Sequence, residues 1–180
     1  MYRAYSKYIY SGFLRTYPMY LAYYNRKATK GMSNVHNDYI FDPRHPRDYG
    51  PCPFVINIER ATRQNYYFRV ALWTGEYLQL TLMSINVGDD IGLEMHNELD
   101  QFIRIEEGQG IVMMGDKKEE LDFRAKVYDD YAVFIPAGKW HNLINTGRTP
   151  LKLYSIYAPP EHPRGTVHET KEDAEEHHGQ

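Results

Sequence analysis

The stretch GDDIGLEMHNELDQFIRIEEG, Gly88 to Gly108, decides how this chain is read. Glu94 and His96 stand two residues apart, so on a strand they point to one face, and a tight connection through Asn97 to Asp100 would bring Gln101 back beside them. A second stretch, PAGKWHNLIN from Pro136 to Asn145, supplies His141. One carboxylate, one carboxamide and two imidazoles all ligate through oxygen or nitrogen. Glu94, His96, Gln101 and His141 are therefore the expected ligands of one divalent first-row metal ion. The competing reading is a hydrogen-bonded polar patch. Against it, burying an unpaired carboxylate is costly, and a cation is one of the few groups that offsets the cost.

Outward from these two stretches the chain reads as short strands. FRVALWT, YLQLTLMSI, IGLEMH, QFIRIEE, GIVMM, ELDFRAKVY, YAVFIP, HNLIN and LKLYSIYA are rich in β-branched, aromatic and aliphatic residues. Between them lie clusters of Gly, Pro, Asp and Lys that reverse a chain. Many short strands at this spacing indicate an all-β sandwich or barrel. Ahead of them, Asn57 is placed to cap a short helix through Ile58 to Gln64.

Together the two stretches resemble the paired signature motifs of the cupin superfamily. The first motif reads G, five residues, H-x-H, three or four residues, E, six residues, G; the second reads G, five residues, P-x-G, two residues, H, three residues, N. Gly88, His96, Gly108, Pro136, Gly138, His141 and Asn145 fall at the motif positions, whereas Glu94 replaces the first His, Gln101 the Glu and Asp130 a Gly. A three-residue gap would make Asp100 the acidic ligand instead. Gln101 is preferred because six residues then lead to Gly108, and because Gln101, Ile103 and Ile105 share an otherwise apolar strand face. The resemblance implies a single cupin (jelly-roll) β-barrel.

Residues from Asn57 to the end of LKLYSIYAPPEHPRGTVHETK look like a group of bacterial single-domain cupins called mannose-6-phosphate isomerase-like. Phosphomannose isomerases also use one Gln, one Glu and two His, in a different chain order. The resemblance thus implies a metal-dependent enzyme acting on a small oxygen-rich molecule, with sugar or sugar-phosphate isomerisation first. A non-haem dioxygenase is the rival, and a non-catalytic binding or assembly protein the third reading.

The expected domain organisation is a Tyr-rich basic arm and Pro-rich connector (1–50), the barrel (51–160) and an acidic, His-containing tail (161–180). The first thirty residues hold eight tyrosines and six Lys or Arg with no acid, while the last twenty hold six acids. Basic residues among aromatics could meet nucleic acid, but the signal is weak and no nucleic-acid partner is expected. No apolar stretch approaches the roughly 18 residues of a membrane span. With Cys52 alone, an internal disulfide is excluded, which fits a reducing, cytoplasmic setting. Barrel edges and the aromatic arm point to a homodimer.

The expected cofactor is one divalent ion, Fe, Mn, Ni, Co or Zn, and a sulphur-type structural zinc is excluded because thiolates are absent. Three residues are candidates for catalytic roles on a small-molecule substrate. Glu98 in the hairpin could be a base, Lys139 beside His141 could meet an anionic group, and His162, with His168 beyond it, could shuttle protons from a tail folded over the barrel mouth.

Overall fold

The protein is seen in a computed structural model that describes residues 41–178, with side chains through residue 176. These residues belong to one compact unit, Asp38–Gln180. The tyrosine-rich arm lies outside the described residues.

The first described helix is short. α1 (Ile58–Gln64) starts where the Asn57 side chain accepts a hydrogen bond from the Arg60 amide at 2.9 Å, and carries Glu59 in its first turn and Arg63 in its last, as its dipole favours. Nine strands follow: β1 (Arg69–Thr74), β2 (Gln79–Ile85), β3 (Asp100–Glu107), β4 (Gln109–Gly115), β5 (Phe123–Tyr128), β6 (Ala132–Ile135), β7 (Trp140–Asn145), β8 (Leu151–Ala158) and β9 (Val167–His168). α2 (Lys171–His178) closes the described chain. Six strands form one antiparallel sheet in the order β6-β3-β8-β2-β1-β9, and three form the other in the order β5-β4-β7. This is the all-β architecture expected from the strand pattern, in the jelly-roll form that the resemblance implied.

Register places chemistry at one end of the larger sheet. Along β2, Gln79, Thr81, Met83 and Ile85 alternate to one face, opposite Tyr157, Ser155, Leu153 and Leu151 of β8. β3 continues that face with Gln101, Ile103 and Ile105. One end of the face is therefore a dry aliphatic core, in which Ile85, Ile105, Leu151 and Leu153 are fully buried and pack with Leu143 and Val112 of the smaller sheet. The other end carries Gln79, Thr81, Ser155, Tyr157 and Gln101, equally buried but polar. On the opposite face of the sheet, Leu72 and Leu82 pack with Ala61 of α1 and with Phe41. Tyr49 stacks on Phe54 at 4.4 Å in the same layer, so the connector residues 41–56 cover the sheet.

Two local expectations are corrected. IGLEMH is no regular strand: Gly92 (φ +93°) interrupts it, and Asp90 just before it folds its carboxylate onto the Gly92 amide at 2.6 Å. Only isolated bridges, Asp90 to Ile144 and Glu94 to His141, tie the segment to β7. The residues after Ala158 add structure that the strand pattern did not foretell, with β9 pairing to β1 and α2 burying Ala174 in the core. No described helix is long and apolar enough to cross a membrane.

Candidate metal centre

Glu94 and His141 are brought together by the backbone. Glu94 N donates to His141 O at 3.1 Å and His141 N donates to Glu94 O at 2.9 Å, the reciprocal pair of an antiparallel bridge. Their side chains meet with His141 Nε2 3.3 Å from Glu94 Oε1, and His96 Nε2 lies 3.6 Å from the same oxygen. One ligand-capable atom from each of the three lies within 4.8 Å of the others. The far nitrogens are engaged elsewhere. His141 Nδ1 is 2.9 Å from the Lys139 carbonyl, an N–H donation that leaves Nε2 with its lone pair, and His96 Nδ1 is 3.3 Å from Glu161 Oε1. Metal-binding histidines are commonly oriented in this way.

Gln101 reaches the interior from the other sheet. The expectation that it returns on the same strand face as Glu94 is therefore corrected: β3 belongs to the six-stranded sheet, whereas Glu94 is bridged to β7 of the three-stranded one. Its Nε2 donates to Ser155 Oγ at 3.0 Å, and its Oε1 is buried with no hydrogen-bond partner. Asp100 points outward, is exposed, and accepts from the Ala137 amide at 2.9 Å, which ties the hairpin to the P-x-G turn. That turn needs a left-handed residue at Gly138 (φ +79°), and its amide donates to the His96 carbonyl at 2.7 Å.

The fit to a cation is visible in orphaned atoms. Glu94 Oε1, His96 Nε2, Gln101 Oε1 and His141 Nε2 are all buried, and none has a hydrogen-bond partner. Native interiors leave few such atoms, because each costs about 1–3 kcal/mol. Four of them belonging to the four expected ligands are what a bound cation would satisfy. The electrostatics agree. Burial opposes ionisation of Glu94, yet the imidazoles of His141 and His96 and the charge of Arg69 outweigh it and hold the carboxyl well below its ordinary range. Burial likewise opposes a charged His96, but Glu94 and then Glu161 raise it above the ordinary imidazole value.

A cavity of about 520 Å³ opens at this end, lined by Arg69, Glu94, His96 and Glu161, with Lys171 and Glu175 of α2 among the residues at its wall. Glu98 is exposed and Lys139 ion-pairs with Asp116; neither lines this cavity. His162 is buried rather than solvent-facing, its backbone clasped by Gln79 and its ring edge-on to Tyr157 at 5.0 Å. The Tyr157 ring also stands at 90° to His96, 5.8 Å away. Sequence reasoning passed over Arg69 and Glu161, and read Tyr157 as a core or interface residue. Arg69 lay in an apolar strand pattern, where a charge at an inward position was the one available signal.

A barrel with a His/Glu centre at one mouth defines the class, and the chain belongs to the cupin family: residues 81–157 match the Cupin domain. Among its relatives is the uncharacterized protein YrkC of Bacillus subtilis (strain 168), 67% identical over 128 residues, which cover 71% of this chain and 69% of that protein. Another, the uncharacterized protein L612 of Acanthamoeba polyphaga mimivirus, is 40% identical over 115 residues, 63% of this chain and 70% of that protein. The crystal structure of BH2720 from Bacillus halodurans shares 64% identity with a TM-score of 0.72, covering 72% of this chain and 98% of that one.

Proposed function

We propose that this chain is a metal-dependent enzyme acting on a small, oxygen-rich molecule, with sugar or sugar-phosphate isomerisation of the mannose-6-phosphate isomerase-like kind as its reaction. The observation that carries the reading is the set of four buried atoms without a hydrogen bond on Glu94, His96, Gln101 and His141. These residues would hold one divalent ion, Fe, Mn, Ni, Co or Zn, which when bound polarises substrate oxygens. The protein's own contribution is proton transfer and enclosure. Glu161, on the cavity wall and 30% exposed, takes the role first considered for Glu98: a carboxylate able to accept a proton from one substrate carbon and return it to the next. Tyr157, packed edge-on against His96, keeps its hydroxyl protonated, since burial pushes it up to about 12.

Elemental analysis of purified protein beside a His141→Ala variant tests the centre. Near-stoichiometric metal in the former and its loss in the latter supports the reading; no metal after reconstitution overturns it. Incubation of the loaded protein with aldoses and their phosphates in deuterated water then tests the reaction. Deuterium entering the carbon beside the carbonyl supports isomerisation, whereas dioxygen consumption would shift the assignment to the rival oxygenase.

A further inference from the structure

Arg69 is the most deeply buried charge in the described protein, 1% exposed at the start of β1, and it is among the residues that line the cavity. Its nearest carboxylate is Glu94, with Nη2 4.0 Å from Oε2. That gap exceeds hydrogen-bond length, so the pairing is purely electrostatic. Nε and Nη1 are buried and make no hydrogen bond. An arginine placed only to neutralise Glu94 would close on it and spend its donors there, because leaving a buried charged donor unsatisfied costs more than a neutral one.

We propose that this end of the cavity binds the carboxylate of the substrate, with Arg69 as its donor. The assignment rests on the metal-dependent reading for the reaction and narrows its substrate from a sugar or sugar phosphate to a sugar acid: the acid group is held by Arg69 while another substrate oxygen faces the Glu94, His96, Gln101 and His141 centre. Guanidinium donors match a planar carboxylate, and a buried arginine keeps its charge under all conditions. A singly charged carboxylate is favoured over a phosphate by the charges around it. Glu94, Glu161 and Glu175 line the same space, and the other cation there, Lys171, is already bonded to Asp90 at 2.9 Å. Among the described residues, a dianion would meet three carboxylates, while Arg69 is already opposite Glu94 and Lys171 is bonded to Asp90. The substrate class is therefore a small polyhydroxylated acid.

Calorimetric titration of the full-length protein, metal-loaded and chelated, with D-glucuronate, D-glucose and D-glucose 6-phosphate tests this. These probes share a ring and differ in the group at one carbon, and acetate against acetamide serves as a minimal pair. The expected result is that the carboxylates bind at least about tenfold more tightly than their neutral counterparts, and that Arg69→Met abolishes the preference while Arg69→Lys restores part of it. Equal binding of acid and neutral probes, absence of carboxylate binding, a stronger response to the phosphate, or a preference that survives in Arg69→Met would each overturn the proposal. The wild-type comparison decides even where Arg69→Met fails to fold. Retained metal without acid preference leaves the metal centre standing and removes the anion site. Acid preference in protein that holds no metal does the reverse.

Discussion

Glu94 and His141 face each other across a two-hydrogen-bond bridge, and their side chains meet at 3.3 Å. The bridge stands alone, outside any regular ladder. Backbone pairing thus sets the separation of two metal-capable groups before any ion arrives, as preorganisation requires.

Because both imidazoles must be neutral to ligate, metal binding competes with the proton that His96 retains above the ordinary imidazole range. Below that raised value the proton is held and the ion is displaced. Metal affinity, measured by competition with a chromophoric chelator, is expected to fall steadily from pH 8 to pH 5. Affinity independent of pH over that span would remove His96 from the ligand set.

Gln101 and Asp100 are separable by mutation. Gln101→Leu deletes a buried, partnerless oxygen, and is expected to weaken metal retention by at least about tenfold. Asp100→Asn keeps an acceptor for the Ala137 amide and should leave metal content unchanged. The opposite ranking in metal-to-protein ratio would exchange their roles.

Asn145 holds the end of the second motif together. Its Nδ2 donates to the Ile85 and Thr149 carbonyls, and its Oδ1 accepts from the Gly147 amide, each at 2.9 Å. Asn145→Ala strands those groups in a site 1% exposed, so urea denaturation should show a loss of about 2–4 kcal/mol. A loss below 1 kcal/mol would mean that the loop relaxes to solvent.

Tyr157 makes stability fall on the alkaline side. Its phenol is pushed up from 10.0 to about 12 by burial, so the folded state keeps a proton that the unfolded chain releases near pH 10. The contribution is complete below pH 10 and is lost as pH rises through 12. Urea midpoints of wild type and Tyr157→Phe should therefore converge or cross between those values, the variant declining less steeply. Parallel curves would show that the hydroxyl reaches water.

Much of this was legible from spacing. The Asn57 cap and α1 followed from local chemistry alone, since capping involves residues three apart. The motif turns were legible for the same reason: Gly88, Gly108 and Gly138 all have positive φ, and Asp130, standing where the motif carries Gly, adopts φ +69°. Asp tolerates that region better than most residues, and here Arg104 pairs with its carboxylate. Less legible was the segment before Glu94, where apolar content suggested a strand while Gly92 and the Asp90 turn prevent one. The tail was harder still. Polar and acidic, it docks through a few long-range contacts, among them Glu161 beside His96, Lys171 on Asp90 and Ala174 in the core.

By itself, then, the sequence determined the β architecture, the turns and the list of metal-capable side chains, because those depend on periodicity, backbone sterics and residue type over short separations. Only the tertiary structure decided that Gln101 arrives from the sheet opposite Glu94, that Arg69 is buried in the same cavity, and that residues after Ala158 wall it. Those facts depend on strand register and sheet packing, where residues distant in the chain meet through the burial of apolar surface that has no local signature.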